Sequence, residues 1–265
     1  MPGDPLIAYS SRAIARPFYY ANAHEKDRVD VQLVPMSVAS ARQLAASVDV
    51  EGFELLDHVS AVSDFSDHEQ VAAVHVPEVI ALLKQVTGAD EVQVTPRGIL
   101  RFSEKSGKQG SSDNSHPARF AHIDISSKTA AEFATRGAAG RKFRRCAAYN
   151  LWRALSPAPQ DVPLALCDAR SFSRDDLIVA DAIFDPPGGA PEWSFESWVV
   201  APGPGHRWFY YPDLNRDEVI LFKTADSDPE RAQCIPHVAF DDPSAPDHAP
   251  PRISIEMRAT CYWWE

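Results

Sequence analysis

The segment 120–125, Phe-Ala-His-Ile-Asp-Ile, alternates apolar and polar side chains. Alternation with a period of two is typical of a β-strand, in which residues i and i+2 face the same side. His122 and Asp124 are therefore predicted to direct an imidazole and a carboxylate into one space. Two such groups and a second, distant histidine form the 2-His-1-carboxylate triad of non-haem Fe(II) oxygenases. A chain with this feature is expected to be a β-rich metal protein.

Candidates for the third ligand come from the nine histidines of the chain. His237 lies in the short apolar run 235–240, Ile-Pro-His-Val-Ala-Phe, where a strand would hold it firmly. His206 is the second choice, because it follows a Gly/Pro turn and is expected to be more exposed. We predict His122, Asp124 and His237 as the metal ligands and catalytic residues.

An oxidising co-substrate such as 2-oxoglutarate needs a cation for its distant carboxylate, and the planar fork of arginine suits this task. Arg252 lies beyond His237, and Ser254 follows it two residues later. On a strand both side chains face one side, so the arginine and the serine hydroxyl are predicted to bind the same carboxylate. The residues thus occur in the order expected for iron and then co-substrate.

Composition excludes several other functions. The chain has 265 residues and a formal net charge of −11, which argues against nucleic acid or an anionic membrane surface as a partner. Its four cysteines show no C-x-x-C spacing, and no apolar segment is long enough for a membrane span. No basic stretch followed by an apolar run marks a signal peptide at the start. We expect a cytoplasmic protein that acts on a small molecule; the sequence leaves its oligomeric state open.

Short strands dominate the second half of the chain, which predicts a mainly β fold with flanking helices, a sandwich or barrel. We expect helices at 37–48, 67–74, 77–86 and 127–135. Strands are expected at 52–58, 91–95, 98–102, 146–152, 163–167, 176–183, 193–200, 207–211, 217–223, 235–240 and 252–260, with 91–95 and 98–102 forming a pair. We expect a single domain, 1–265, in which 1–103 packs on a core formed by 117–265.

Gly- and Ser-rich residues form the polar segment 104–116, just before the strand with His122. A plain surface loop is one interpretation of this segment. A lid over the site is the other, because loops of this length are often functional. Turns are predicted at 186–189, 202–205 and 241–243.

Joint motifs make the sequence similar to a known family. They are Gly52-Phe53 with Asp64-Phe65, Thr87-Gly88-Ala89, His122-Ile123-Asp124, Asn150-Leu151-Trp152-Arg153, Pro163-Leu164-Ala165-Leu166-Cys167-Asp168, His206-Arg207-Trp208-Phe209-Tyr210-Tyr211-Pro212, Asp217-Glu218-Val219, Asp226-Ser227, His237-Val238-Ala239-Phe240 and Arg252-Ile253-Ser254-Ile255-Glu256. The chain resembles the CmcJ/NvfI-like, AsaB-type hydroxylase/desaturase family of Fe(II)/2-oxoglutarate-dependent oxygenases.

That resemblance implies a double-stranded β-helix (jelly-roll) core, iron at His122, Asp124 and His237, and 2-oxoglutarate at Arg252. Asn150 and Arg153 are further candidates for contact with co-substrate or substrate. The alternative for them is a polar cap at a strand end and a surface ion pair. Arg101 is a candidate partner for a substrate carboxylate.

The resulting hypothesis is an Fe(II)/2-oxoglutarate-dependent dioxygenase of natural-product biosynthesis. It would use O2 to oxidise an unactivated C–H bond of a small metabolite, with succinate and CO2 as co-products. Hydroxylation, desaturation and oxidative cyclisation remain open. The alternatives are a cupin-like metalloenzyme that uses the same three ligands without 2-oxoglutarate, and a non-catalytic β-barrel binding module.

Overall fold

A computed structural model describes residues 3–108, 114–185 and 191–265, with the backbone alone described at 114–115. The centre of the predicted loop 104–116 and the predicted turn at 186–189 therefore lie outside the described residues. Within the described ranges, no helix is both long and apolar enough to span a membrane.

Strands account for most of the regular structure. They are β1 Leu6–Ser10, β2 Phe18–Tyr20, β3 Val31–Pro35, β4 Val38–Ser40, β5 Phe53–Asp57, β6 Glu91–Val94, β7 Ile99–Phe102, β8 Asn114–Ser115, β9 His122–Ile123, β10 Phe143–Ala154, β11 Leu164–Cys167, β12 Leu177–Phe184, β13 Trp193–Val200, β14 Trp208–Tyr210, β15 Glu218–Asp226, β16 His237–Ala239 and β17 Ile253–Trp264.

Helices lie outside the two large sheets. Helix α1, His68–Gln70, continues through a π-helical turn, Val71–His75, into α2, Val76–Thr87. Helix α3 spans Ser127–Ala138, and 3-10 turns occur at His24–Lys26, Glu104–Ser106 and Arg174–Asp176. The helices predicted at 67–74, 77–86 and 127–135 are therefore confirmed.

Two sheets face each other and form the jelly-roll core. Within the described residues one sheet has the order β5-β15-β10-β17-β7-β8, and the other has the order β2-β12-β13-β9-β16-β11-β14-β4. Between them lies an apolar cluster that includes Phe53, Trp152 and Phe222 from the first sheet and Leu164 and Leu166 from the second. The interior of this sandwich is where inward-facing side chains of both sheets meet.

The outer faces of both sheets are covered as well. Val79 and Leu83 of α2 pack on the outer face of the first sheet, and the ribbon of β1 and β3 covers the second. On β17, alternate residues such as Ile255 and Met257 belong to the layer under α2. The intervening residues of β17, among them Ser254 and Arg258, consequently face the interior.

One predicted helix and one predicted pairing are wrong. Residues 37–48 form no helix; Val38–Ser40 is instead a short strand parallel to β14, because pairing at the sheet edge overrides a weak local helix preference. Strands β6 and β7 do not pair with each other. They lie end to end along the same edge of β17, where β6 pairs with residues 259–262 and β7 with residues 253–256.

The first hundred residues are built into the sheets. Strands β2 and β4 extend the second sheet at its two edges, and β5, β6 and β7 belong to the first. Segment 1–103 therefore contributes hydrogen-bonded strands to the core in addition to packing on it.

Candidate metal centre and co-substrate site

Neighbouring strands bring the two candidate histidines together. His122 of β9 pairs directly with His237 of β16, and the two ring centroids are 4.3 Å apart. Asp124 follows β9 by one residue and faces the same side as His122. The alternation of the segment 120–125 thus has the geometric consequence that the sequence predicted, although the regular strand is only two residues long.

The ligand atoms of His122, Asp124 and His237 converge on one point. Asp124 Oδ1 lies 3.6 Å from His122 Nε2 and 3.9 Å from His237 Nε2, and the ligand atoms all lie within 4.8 Å of one another. A first-row ion binds such atoms at about 2.0–2.2 Å, so one ion can bridge these separations. Two histidines and one carboxylate are the ligand types of a facial triad.

Backbone carbonyls set the orientation of both imidazoles. His122 Nδ1 donates to the Phe120 carbonyl at 3.0 Å, and His237 Nδ1 lies 3.5 Å from the Ile235 carbonyl. Each contact favours a proton on Nδ1 and leaves Nε2 free to bind a metal. Burial, and then the neighbouring His122, lower the pKa of His237 to about 3. His237 is therefore neutral, the form that ligates metals.

Two side chains hold the carboxylate of Asp124. Asn150 Nδ2 donates to its Oδ2 at 2.6 Å, and the Arg258 guanidinium lies 3.3 Å from its Oδ1. Burial opposes ionisation of Asp124, but Arg258 and the two histidines outweigh it and hold the pKa of this carboxyl well below its usual range. An ionised, oriented carboxylate is the form that an Fe(II) ligand requires.

Arg252 and Ser254 present a partly unsatisfied polar pair inside the sandwich. One terminal nitrogen of Arg252 donates to the Val162 carbonyl at 2.9 Å, and the guanidinium lies over the ring of Trp152, 5.5 Å from its centroid. Within the described part of the chain, Arg252 Nε and Ser254 Oγ are buried without a hydrogen-bond partner. Burial lowers the pKa of Arg252 to about 9, so the group is still a cation at neutral pH.

Buried donors without acceptors are costly and rare in native proteins, so a missing acceptor is expected at this position. A carboxylate between Arg252 Nε and Ser254 Oγ would satisfy both groups. The residues present therefore fit the distant carboxylate of 2-oxoglutarate.

Two other candidates lie elsewhere. Arg153 is on the face of β10 opposite to Asn150, where one of its terminal nitrogens donates to the carbonyls of both His58 and Arg216. His206 contacts the Tyr9 hydroxyl at 3.0 Å and a carboxylate oxygen of Asp176 at 3.2 Å. The structure thus does not bring Arg153 or His206 to the metal ligands.

Three residues near the ligands were not predicted from the sequence. Arg258 and Glu256 continue the inward-facing positions of β17 after Ser254, and Arg258 Nε donates to Glu256 at 2.9 Å. Strand alternation was a usable signal for both. Tyr19 lies in β2, with its ring centroid 6.2 Å from that of His122. No local pattern marked this tyrosine, because β2 is a three-residue edge strand.

A cavity of about 240 Å³ opens beside His122 and Asp124. Arg101, Arg258 and Tyr19 also line it. A second depression of about 870 Å³ lies between α3 and the end of the sandwich, and none of the three metal ligands lines it. The smaller cavity is therefore the one that reaches the metal centre.

Fold and site together define a jelly-roll protein in which His122, Asp124 and His237 could hold a metal ion as the facial triad of the non-haem Fe(II) oxygenases does. Residues 7–262 match the model of a family described as "Oxidoreductase/YMDC permease-like domain". The chain is 31% identical over 242 residues to the alpha-ketoglutarate-dependent dioxygenase phiK from a fungal species, covering 88% of this chain and 85% of the relative. It is 31% identical to the hydroxylase/desaturase efuI from Hormonema carpetanum, covering 82% and 79% of the two chains.

Among solved structures, a single-substitution variant of the iron and alpha-ketoglutarate-dependent endoperoxidase NvfI superposes with a TM-score of 0.82 at 21% identity. The superposition covers 98% of this chain and 97% of that one. The chain belongs to this family of Fe(II)/2-oxoglutarate-dependent dioxygenases, and the predicted resemblance and jelly-roll fold are confirmed.

Proposed function

We propose that this enzyme oxidises an unactivated C–H bond of a small metabolite in natural-product biosynthesis, while 2-oxoglutarate is converted to succinate and CO2. The observation that carries the proposal is the combination of a convergent His122, Asp124 and His237 with an unsatisfied Arg252 and Ser254 in the same interior. The cupin-like alternative without 2-oxoglutarate gives no reason for the second pair.

The five residues divide into two groups with different roles in the proposal. His122, Asp124 and His237 would hold Fe(II) from one side, and Arg252 with Ser254 would hold the distant carboxylate of 2-oxoglutarate. When bound, Fe(II), 2-oxoglutarate and O2 supply the oxidising power for hydrogen removal from a C–H bond. The chain itself then needs no general base at the substrate carbon.

Neighbouring groups keep the ligands in place. Asn150 and Arg258 orient Asp124, because each contacts a different oxygen of its carboxylate. The ring of Phe222 lies 4.8 Å from that of His237 and covers the metal centre from the interior of the sandwich. This apolar cover excludes water from one side of the site, and the substrate must approach from the cavity side.

The domain organisation, compartment and substrate size of the enzyme can be inferred from its strands, its cysteines and the cavity. We expect residues 1–265 to fold as one unit, since strands from 1–103 are hydrogen-bonded into both sheets. A reducing compartment such as the cytoplasm is proposed, because all four cysteines are free thiols. The substrate is proposed to be a small molecule that fits the 240 Å³ cavity at least in part.

Succinate formation from 2-oxoglutarate, measured with Fe(II) and O2 and without added substrate, tests the proposal. Wild-type protein is expected to form succinate slowly, and Asp124→Ala and His237→Ala are expected to form none above background. His248→Ala, a change of an exposed histidine that does not line the cavity beside the ligands, is the matched control and should behave as wild type. Equal succinate formation in all four proteins would refute the ligand assignment. No succinate from metal-loaded wild type would favour the cupin-like alternative.

A further inference from the structure

The cavity beside the metal ligands combines an aromatic wall with a cationic wall. Tyr19, Phe120, Phe184 and Phe195 line it from the second sheet and its edge. The opposite side is formed by residues of the first sheet, among them Arg101. Such a cavity suits a ligand with an apolar body and one polar group.

Three arginines line this cavity, and their environments differ. Arg258 contacts the carboxylates of Asp124 at 3.3 Å and Glu256 at 2.9 Å. Arg119 also contacts two carboxylates, at 3.4 Å and 2.5 Å. The guanidinium of Arg101 makes no hydrogen bond or ion pair with any residue that the structure describes. Arg101 is therefore the lining arginine whose charge is available to a ligand.

Arg101 lies beside Ser254 of the proposed co-substrate site and lines the cavity together with His122 and Asp124. It pairs in register with Ser254 on β17, and like Ser254 it faces the interior. Burial lowers the pKa of Arg101, and the more distant Glu256 only partly offsets that effect. The guanidinium thus bears a desolvation cost that its neighbours in the described chain offset only in part, and an anionic ligand would compensate the remainder.

The anion that Arg101 would bind is a different group from the distant carboxylate of 2-oxoglutarate. That group already has Arg252 Nε and Ser254 Oγ as donors, which find no partner among the described residues, and neither residue lines the cavity. Arg101 lines the cavity together with His122 and Asp124, on the side from which a substrate reaches the metal centre. The planar guanidinium fork matches a carboxylate.

We propose that Arg101 binds a carboxylate group of the substrate, while the apolar part of that substrate packs on the aromatic wall. The substrate class is therefore a small carboxylic acid with an aromatic or aliphatic body. This inference rests on the proposed function, because it assigns the substrate of that same site. It also gives a reason for a half-buried arginine on β7 that has no role toward the metal or the co-substrate in the proposed function.

Binding of neutral and acidic probes tests the proposal without turnover. Protein loaded with Mn(II) and saturated with 2-oxoglutarate would be titrated by calorimetry. The probes are 3-phenylpropanoate, 4-phenylbutanoate and indole-3-acetate, each compared with its primary amide. Wild type is expected to bind at least one acid about tenfold or more tightly than its amide, the effect of one charge-assisted hydrogen bond. Arg101→Gln should bind acid and amide within about twofold of each other.

Two further variants act as controls. Arg97→Gln removes the same charge on the β6–β7 turn, outside the cavity lining, and should keep the preference for the acid. Arg101→Lys keeps the charge without the fork and should keep part of the preference, which covers the case that Arg101→Gln does not fold.

Three results would overturn the proposal: no preference for any acid in wild type, an unchanged preference in Arg101→Gln, or a fall in 2-oxoglutarate affinity in Arg101→Gln as large as the fall in acid affinity. The last result would assign Arg101 to the co-substrate. Failure of the proposed function would be seen separately, as an absence of succinate formation by wild type, whatever the probes do.

Discussion

Replacement of Arg252 by glutamine is expected to raise the 2-oxoglutarate requirement strongly. The side chain is buried, its Nε has no partner within the described chain, and Ser254 Oγ beside it has none either. Glutamine removes the positive charge and the guanidinium fork but keeps a polar group of moderate size. A carboxylate bound there would lose charge-assisted hydrogen bonds worth about 1.5–3 kcal/mol each.

The magnitude follows from the one hydrogen bond that Arg252 Nε would donate, taken at the high end of that range because the positive charge is lost with it, which gives about 3 kcal/mol. Since about 1.4 kcal/mol corresponds to a tenfold change, the concentration of 2-oxoglutarate for half-maximal succinate formation should rise about 150-fold in Arg252→Gln. Ser254→Ala removes one donor of the pair and should raise it about tenfold. Arg252→Lys keeps the charge, and its 2-oxoglutarate concentration for half-maximal succinate formation should lie between those of wild type and Arg252→Gln.

The assay is succinate formation against 2-oxoglutarate concentration, with thermal denaturation to confirm folding. The backbone N–H of Arg252 donates to Asp161 at 2.8 Å, a contact that every variant retains, so the local chain path should persist. A folded Arg252→Gln protein whose 2-oxoglutarate requirement stays within about threefold of wild type would refute the reasoning. The anchor for the distant carboxylate would then have to lie elsewhere.

Three further changes test the positioning of the site and the stability of its frame. Asn150→Leu removes the donor to Asp124 and should weaken Fe(II) binding about 10–100-fold in an anaerobic metal titration; unchanged affinity would exclude an orienting role. Gly52→Ala should cost about 2–4 kcal/mol in denaturant unfolding, because Gly52 has a φ of +87° and a Cβ there would clash with the side chain of Ile235; wild-type stability would contradict this. Asp168→Asn should lower the free energy of unfolding by about 1 kcal/mol at neutral pH. Burial opposes ionisation of Asp168, but two half-exposed arginines hold its pKa below the usual range. A carboxyl whose pKa is lower in the folded than in the unfolded protein stabilises the fold at pH values above its unfolded pKa. The difference in unfolding free energy between Asp168→Asn and wild type should therefore shrink as the pH falls below about 4, and a constant difference would contradict the ion pairs.

Much of the core could be predicted because its strands are long and carry their own pattern. On β17, apolar residues alternate with polar ones from Ile253 to Cys261, and both β10 and β17 extend beyond the predicted bounds, to Ala154 and Trp264. Alternation records the two faces of a sheet directly in the sequence. Helix α2 was equally clear, since Pro77 lies in its first turn and Gly88 ends it in a left-handed conformation.

The first fifty residues could not be predicted in this way. Strands β2 and β4 are three residues each and pair in parallel with β12 and β14, far along the chain. Such strands exist because an edge is available to them, and their own sequence does not mark it. The alanine-rich composition of 37–48 favoured a helix, but the edge of the sheet determined the outcome.

The candidate site also has one part that the sequence predicts and another that it does not. The spacing of His122 and Asp124 was sufficient, because parity on a strand fixes which side chains share a face. The same parity places Arg153 on the face of β10 opposite to Asn150, so strand alternation alone separates these two candidates. The approach of Arg258 to Asp124 depends on how the two sheets are stacked. It could be known only from the tertiary structure.

Anaerobic titration of the Fe(II)-loaded protein with 2-oxoglutarate tests the central claim most directly. Chelation of Fe(II) by a 2-oxo acid produces a visible charge-transfer absorption, so the signal requires metal and co-substrate at one site. We predict that the absorption appears in wild type and saturates at one equivalent per chain, and that it is lost in His237→Ala. Absence of the absorption in iron-loaded wild type, or its persistence unchanged in His237→Ala, would contradict the account.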